Sequence, residues 1–261
     1  MKGKRPIIGL VVGAMVCLAV ALAGAVPAFA ATDADKWEIK MIPYGWMIGI
    51  DGDLTVGDQD VDIDVGFDDV WDNLEIAGML QLEMRKDRFG LFAQPNYLKV
   101  TDEDTLSAVN GEIETQAWMV EFGAFYRLVE NPGNHPLGID LLLGGRFWDL
   151  SNTIEVGVSD TEIVEAQKSN QLIDPIVGLR LGNYFTDRLF VMLRGDVGGF
   201  DIGGSTTKFS WQAQAVLGFD VTDSLALFGG YRVLDIDTDL SNETEADLTL
   251  YGPIVGLGFV F

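Results

Sequence analysis

Cysteine and histidine are almost missing from this chain: of 261 residues, only Cys17 carries a thiol and only His135 an imidazole. A lone cysteine cannot form an internal disulfide, so no covalent framework supports the fold. Catalysis through imidazole has a single candidate. Basic residues are also few, with 17 Lys and Arg against 40 Asp and Glu. That balance excludes a nucleic-acid partner, because phosphate binding needs a basic surface. Beyond residue 30, no segment approaches the roughly 18 consecutive apolar residues of a membrane helix.

What is present begins with an export signal. Lys2, Lys4 and Arg5 form a basic start, Ile7 to about Leu22 an apolar stretch, and Ala28-Phe29-Ala30 a small-x-small cleavage site. The alternative is an uncleaved anchor. Lipidation at Cys17 is not expected, because Val16 precedes it where processing needs a small residue. Residues 1–30 hold three basic side chains and no acidic one, leaving 14 Lys and Arg against 40 Asp and Glu, a net charge of −26. Hydrophobic residues still make up 48% of the sequence and Gly occurs 31 times. Apolar content without a long apolar run is how a transmembrane β-barrel carries its membrane character.

Ten segments alternate with period 2, at about 37–50, 74–86, 88–101, 112–128, 137–150, 170–185, 188–201, 207–220, 224–237 and 247–261. In the seventh, Leu189, Val191, Leu193, Gly195 and Val197 share one face, against Phe190, Met192, Arg194, Asp196 and Gly198. The last segment sets Tyr251, Pro253, Val255, Leu257, Phe259 and Phe261 against Gly252, Ile254, Gly256, Gly258 and Val260. Connections after the second, fourth, sixth and eighth segments are tight, while most of the others are longer and polar. Short periplasmic turns, long external loops and an even strand count are the habit of bacterial barrels. The expected fold is all-β: an antiparallel up-and-down transmembrane β-barrel of ten strands, with eight or twelve as alternatives, in one domain spanning 31–261. A soluble β-sandwich or lipocalin-like barrel is the competing fold. Aromatics gathered near strand ends favour the membrane barrel.

The first loop, about 51–73, is the longest. Within it Leu54–Val56 and Val61–Val65 can pair as a small external hairpin, and Asp68–Leu74 reads as a short capped helix.

Several stretches resemble a family of small Gram-negative outer-membrane barrels grouped with OmpA- and OmpW-like proteins. They are Trp37-Glu38, Pro43-Tyr44, Trp46, Asp51-Gly52, Asp174–Arg180, Arg194–Phe200, Gly230-Tyr-Arg232 and Gly252–Phe259. The resemblance implies fold and location but no established activity, so it carries over no catalytic residue.

Six of the eight arginines beyond the leader fall on faces assigned to the lumen: Arg85, Arg127, Arg146, Arg180, Arg194 and Arg232. Glu83, Glu121, Asp140, Asp174, Asp196 and Asp220 share those faces. Equal numbers suit a paired interior, since an unpaired charge in a narrow lumen costs several kcal/mol. Such a network either packs the barrel or lines a polar lane for small solutes. Asp58, Asp60, Asp62 and Asp64 alternate, so a strand aligns their carboxylates as candidate ligands for loosely held Ca²⁺. The signal is weak, because the sixth position from Asp58 is Ile63 where a calcium loop has Gly. His135 lies in an expected periplasmic turn, on the wrong side for external proteolysis or lipid chemistry, so no enzyme and no firm cofactor are expected. The expected role is a structural envelope component or a narrow passive channel. The alternative is a surface module whose acidic loops bind divalent cations, lipopolysaccharide or a partner. Expected contacts are outer-membrane lipid, lipopolysaccharide and, through Tyr251, Phe259 and Phe261 on the closing strand, the outer-membrane assembly machinery.

Overall fold

Period-2 alternation puts each strand's two faces in different surroundings, and the only way to hide every edge in lipid is to close the sheet. The computed structural model describes residues 37–56, 59–102, 111–131, 136–159, 162–202, 206–241 and 244–261. The export signal, Asp58 and His135 lie outside these residues. Twelve strands and one helical turn follow in chain order: β1 (Glu38–Trp46), β2 (Gly49–Val56), β3 (Gln59–Val65), α1 (Phe67–Asp72), β4 (Leu74–Lys86) and β5 (Phe89–Asp102). Then come β6 (Gly111–Asn131), β7 (Leu137–Ser159), β8 (Glu162–Tyr184), β9 (Leu189–Gly199), β10 (Phe209–Thr222), β11 (Leu225–Ser241) and β12 (Thr244–Val260).

Ten of these strands, β1 and β4 to β12, pair antiparallel in chain order, and β12 returns to β1 to close the barrel. The terminal seam is completed by two backbone bonds, Ile39 N–H to the Phe261 carbonyl at 3.2 Å and Phe261 N–H to the Ile39 carbonyl at 2.8 Å. Glu38, where β1 starts, and Phe261 share the end with the tight turns, which is the periplasmic end in barrels of this kind.

The remaining two strands extend the wall. Lower β12, Ile254–Val260, pairs with β1, and upper β12, Thr244–Tyr251, pairs with β2. Gly252 sits where the partner changes, with φ +152°, and a Cβ there would lie 1.8 Å from the Met47 carbonyl oxygen. Only glycine fits that approach. β3 then folds back on β2, with Leu54 opposite Val61 and Val56 opposite Gln59. In α1, Asp68 and Asp69 occupy the first turn, and the Asp69 carboxylate accepts from the Gly66 N–H at 3.1 Å.

The upper strand ends run further than the sequence pattern indicates. Residues 151–169, expected as a loop, are mostly the top of the β7–β8 hairpin, paired up to Ser159 opposite Glu162. Ile154, Val156 and Val158 do alternate there, but the polar residues around them outweigh so short a signal.

The outer face is apolar. Leu143, Leu179 and Leu217 are 54%, 53% and 54% exposed, an arrangement that favours lipid over water. Tyr97 and Trp118 touch at the upper rim of this belt, with ring centroids 4.7 Å apart. Phe89 and Tyr126 pair at the lower rim. By strand parity Phe259 belongs to this face with the exposed Val255, yet it is only 5% exposed.

Candidate functional site: a plugged lumen above a vestibule

The inward positions of adjacent strands line up across the sheet because the register is in step. Gln94, Glu121, Arg146 and Asp174 occupy directly opposed positions on β5, β6, β7 and β8. Arg194 and Asp196 from β9, Gln212 from β10 and Arg232 from β11 reach the same level. Glu121 and Arg146 have no exposed surface. Arg146 contacts Glu121 at 2.8 Å and Asp196 at 2.6 Å. Arg194 also joins both carboxylates, Glu121 and Asp196, at 3.0 Å each. Arg232 reaches Glu121 at 2.9 Å. Two carboxylates thus hold three guanidiniums, and neutral groups take up some of the remaining donors and acceptors, while Glu121 Oε2 and Arg194 Nη2 make no hydrogen bond. Gln212 donates to Asp196 at 3.0 Å and accepts from Arg232 Nε at 2.9 Å. Gln94 donates to the Tyr44 hydroxyl at 2.6 Å, and that hydroxyl donates to Asn96.

Above the ionic layer lies an apolar one that includes Trp46, Ile48, Met79, Met119, Trp148 and Leu234. The Arg232 guanidinium lies over the Trp46 ring, 4.5 Å from its centroid, and ties the two layers together. The barrel is filled at this height.

Below the plug the charges open out. Arg180 pairs with Glu83 and, at 3.0 Å, with Asp140. Arg127 pairs with Asp140 as well. Arg85 reaches the rim carboxylates Glu38 at 3.6 Å and Glu130 at 3.4 Å. These groups line part of a cavity of about 790 Å³ at the tight-turn end.

Ten of the twelve candidate lumen charges therefore sit in ion pairs, in two tiers rather than one network. Asp174 is fully buried but accepts from the Thr207 backbone N–H at 2.8 Å instead of from an arginine, and its second oxygen has no partner. Asp220 lines the vestibule beside the Tyr184 hydroxyl and, among the described residues, is in no ion pair with a guanidinium. Sequence reasoning missed Tyr44, Gln94, Asn96 and Gln212, because it looked for charge. Their signal was parity, since each falls on the inward face of its strand.

Asp60, Asp62 and Asp64 are exposed on the upper hairpin, on the face that register continues to the outward Phe209 and Trp211. Register rows extend the acidic face across four strands. One row runs Asp62, Asp53, Asp247, Asp237, and the next runs Asp64, Asp51, Thr249, Asp235. Its cationic contact is Lys208, at 2.8 Å from Asp239 and 3.5 Å from Glu245. The Asp53 carboxyl is held above its ordinary range, first by its contact with Asp62 and also by repulsion from Asp62, Asp247 and Asp60. Among the described residues no three His, Cys, Asp or Glu side chains converge to hold a metal ion.

No family model and no curated protein matches this chain. Among solved structures it is similar to the outer membrane protease OmpT from Escherichia coli, with TM-score 0.52 and 12% identity over 91% of this chain and 99% of that one. Weaker likenesses include the translocator domain of the autotransporter NalP from Neisseria meningitidis, TM-score 0.41, 12% identity, 96% of each chain. Another is Ail of Yersinia pestis, TM-score 0.37, 10% identity, 87% of this chain and 99% of that one. At these identities the likeness to OmpT speaks for the fold alone. A closed antiparallel barrel with a lipid-suited belt, aromatic rims and the fold of an outer-membrane protein makes this chain an integral β-barrel of the bacterial outer membrane.

Proposed function

We propose that this protein is a sealed barrel that serves as a structural component of the envelope and conducts no solutes. The observation that supports this reading is the layer of Arg146, Arg194, Arg232, Glu121 and Asp196, which crosses the lumen with almost no exposed surface. A conducting lane needs water beside its charges, whereas here the charges pair with one another. Planar bilayers test the reading. The purified protein is expected to give no discrete conductance steps, and reproducible steps in the wild type would overturn it.

A second reading, a surface binding module, is supported by the acidic rows above the lipid belt. Carboxylates directly opposed across strands repel one another, which divalent cations relieve. Ca²⁺ spread over these rows would bridge them to lipopolysaccharide phosphates. Slower amide exchange in β2 and β3 on adding Ca²⁺ is the expected result, and unchanged exchange argues against the module. Neither reading assigns catalysis to the chain.

A further inference from the structure

We propose that the vestibule at the periplasmic end binds a small amphipathic amine: an apolar body carrying one protonated nitrogen. The proposal rests on the sealed lumen only for the cavity's blind inner end. Its volume of about 790 Å³ lies within the ~300–1,000 Å³ typical of small-molecule sites.

The two walls differ. Strands β1, β4, β6, β7 and β8 contribute the charged side, while β9, β10 and β11 contribute Phe190, Met192, Val216 and Phe228. On the apolar wall the one ionisable lining residue is Asp220. Every cation of the charged wall already has a carboxylate: Lys40 has Glu38 at 3.2 Å, Arg85 has Glu38 and Glu130, Arg127 has Asp140, and Arg180 has Glu83 and Asp140. Among the described residues Asp220 has no such partner. Its neighbour is the neutral Tyr184 hydroxyl, and Lys40 and Arg188 act on it only through space. Four cationic and five anionic side chains line the cavity. A guest with one positive charge balances that set, and a guest with a negative charge worsens it. Placing the ammonium on Asp220 lays the apolar body against Phe190 and Phe228, on the wall where nothing else is charged.

Three probes of matched shape test this: 3-phenylpropylammonium, 3-phenylpropanol and 3-phenylpropanoate, each titrated calorimetrically into full-length protein. The protein is held in phosphatidylcholine nanodiscs, whose headgroups carry no titratable amine, and empty discs give the baseline. The ammonium is expected to bind about tenfold more tightly than the alcohol, the scale of one charge-assisted contact away from bulk water. The carboxylate is expected to bind weakest. Asp220→Asn should erase the preference for the ammonium while leaving the alcohol unchanged. Gly182→Leu should weaken binding of all three, because Gly182 lines the cavity and a Cβ there meets nothing within 4 Å, so the added side chain has room to occupy part of it. Unchanged melting by circular dichroism identifies folded variants. Equal affinities for the three probes, no binding, or binding indifferent to Gly182→Leu would overturn the proposal. Conductance recorded on the same preparation separates the two readings: silent bilayers without amine binding sink only the vestibule, and open steps with amine binding sink only the seal.

Discussion

Glu121 meets three guanidiniums, from Arg146, Arg194 and Arg232, with none of its own surface exposed. Taking a carboxylate out of water costs several kcal/mol, and only close, well-oriented partners offset it. Removing the charge while keeping the shape leaves the arginines in excess. Glu121→Gln is therefore expected to lose about 3–5 kcal/mol of unfolding free energy, read from urea titration in detergent or bilayers. A loss near 0–1 kcal/mol, the range of surface pairs, would mean that the plug does not depend on its charges. Close packing sets a second constraint. A Cβ on Gly144 would lie 2.0 Å from the Phe122 carbonyl oxygen, so β6 and β7 have to part to admit one. Gly144→Ala should lower the folded fraction on unheated gels, whereas Gly182→Ala, with open space at its Cβ, should leave it unchanged. The charged members of the plug were legible in the sequence because arginine on an apolar-flanked strand is conspicuous. Their neutral partners were not, because Gln94 and Gln212 look the same in a lumen as on a wet surface.

Among the elements, the β2–β3 hairpin places like charges opposite one another, Asp51 with Asp64 and Asp53 with Asp62. The raised carboxyl of Asp53 fixes the sign of the pH response. A folded-state value above the unfolded one means that the folded hairpin binds its proton more tightly. The hairpin is thus favoured as pH falls through that value and disfavoured once the group is ionised. Amides of β2 and β3 should be better protected near about pH 4 than at about pH 7, after correction for intrinsic exchange rates. Equal or greater protection at neutral pH would contradict the repulsion. The hairpin itself was legible, since Leu54–Val56 and Val61–Val65 alternate around Gly57. The tall β7–β8 hairpin was not, because the short alternation of Ile154, Val156 and Val158 is outweighed by the polar residues around it.

For the whole molecule, ten strands and a lipid-suited outer face followed from alternation and the spacing of tight turns. What lay beyond that reach was how deeply the interior is filled, because packing depends on which inward side chains meet across strands far apart in the chain. The terminal seam offers a test at this scale. Deleting Phe261 removes both of its backbone bonds to Ile39. It should slow insertion into lipid vesicles, measured as the growth of the faster-migrating folded band with time. Insertion at the wild-type rate would show that closure does not need the last residue.

The seam also joins residues separated by almost the whole chain, so its entropic cost of closure is the largest in the barrel and it is expected to zip last. Until then the chain is an open ribbon with two bare edges, prone to pairing with a neighbour. Tyr44 and Trp46 stand on one of those edges, and both touch Arg232, which is carried by the other end of the ribbon. Sealing the interior and zipping the rim are consequently one cooperative event, and an assembly intermediate with an open rim also has an open centre.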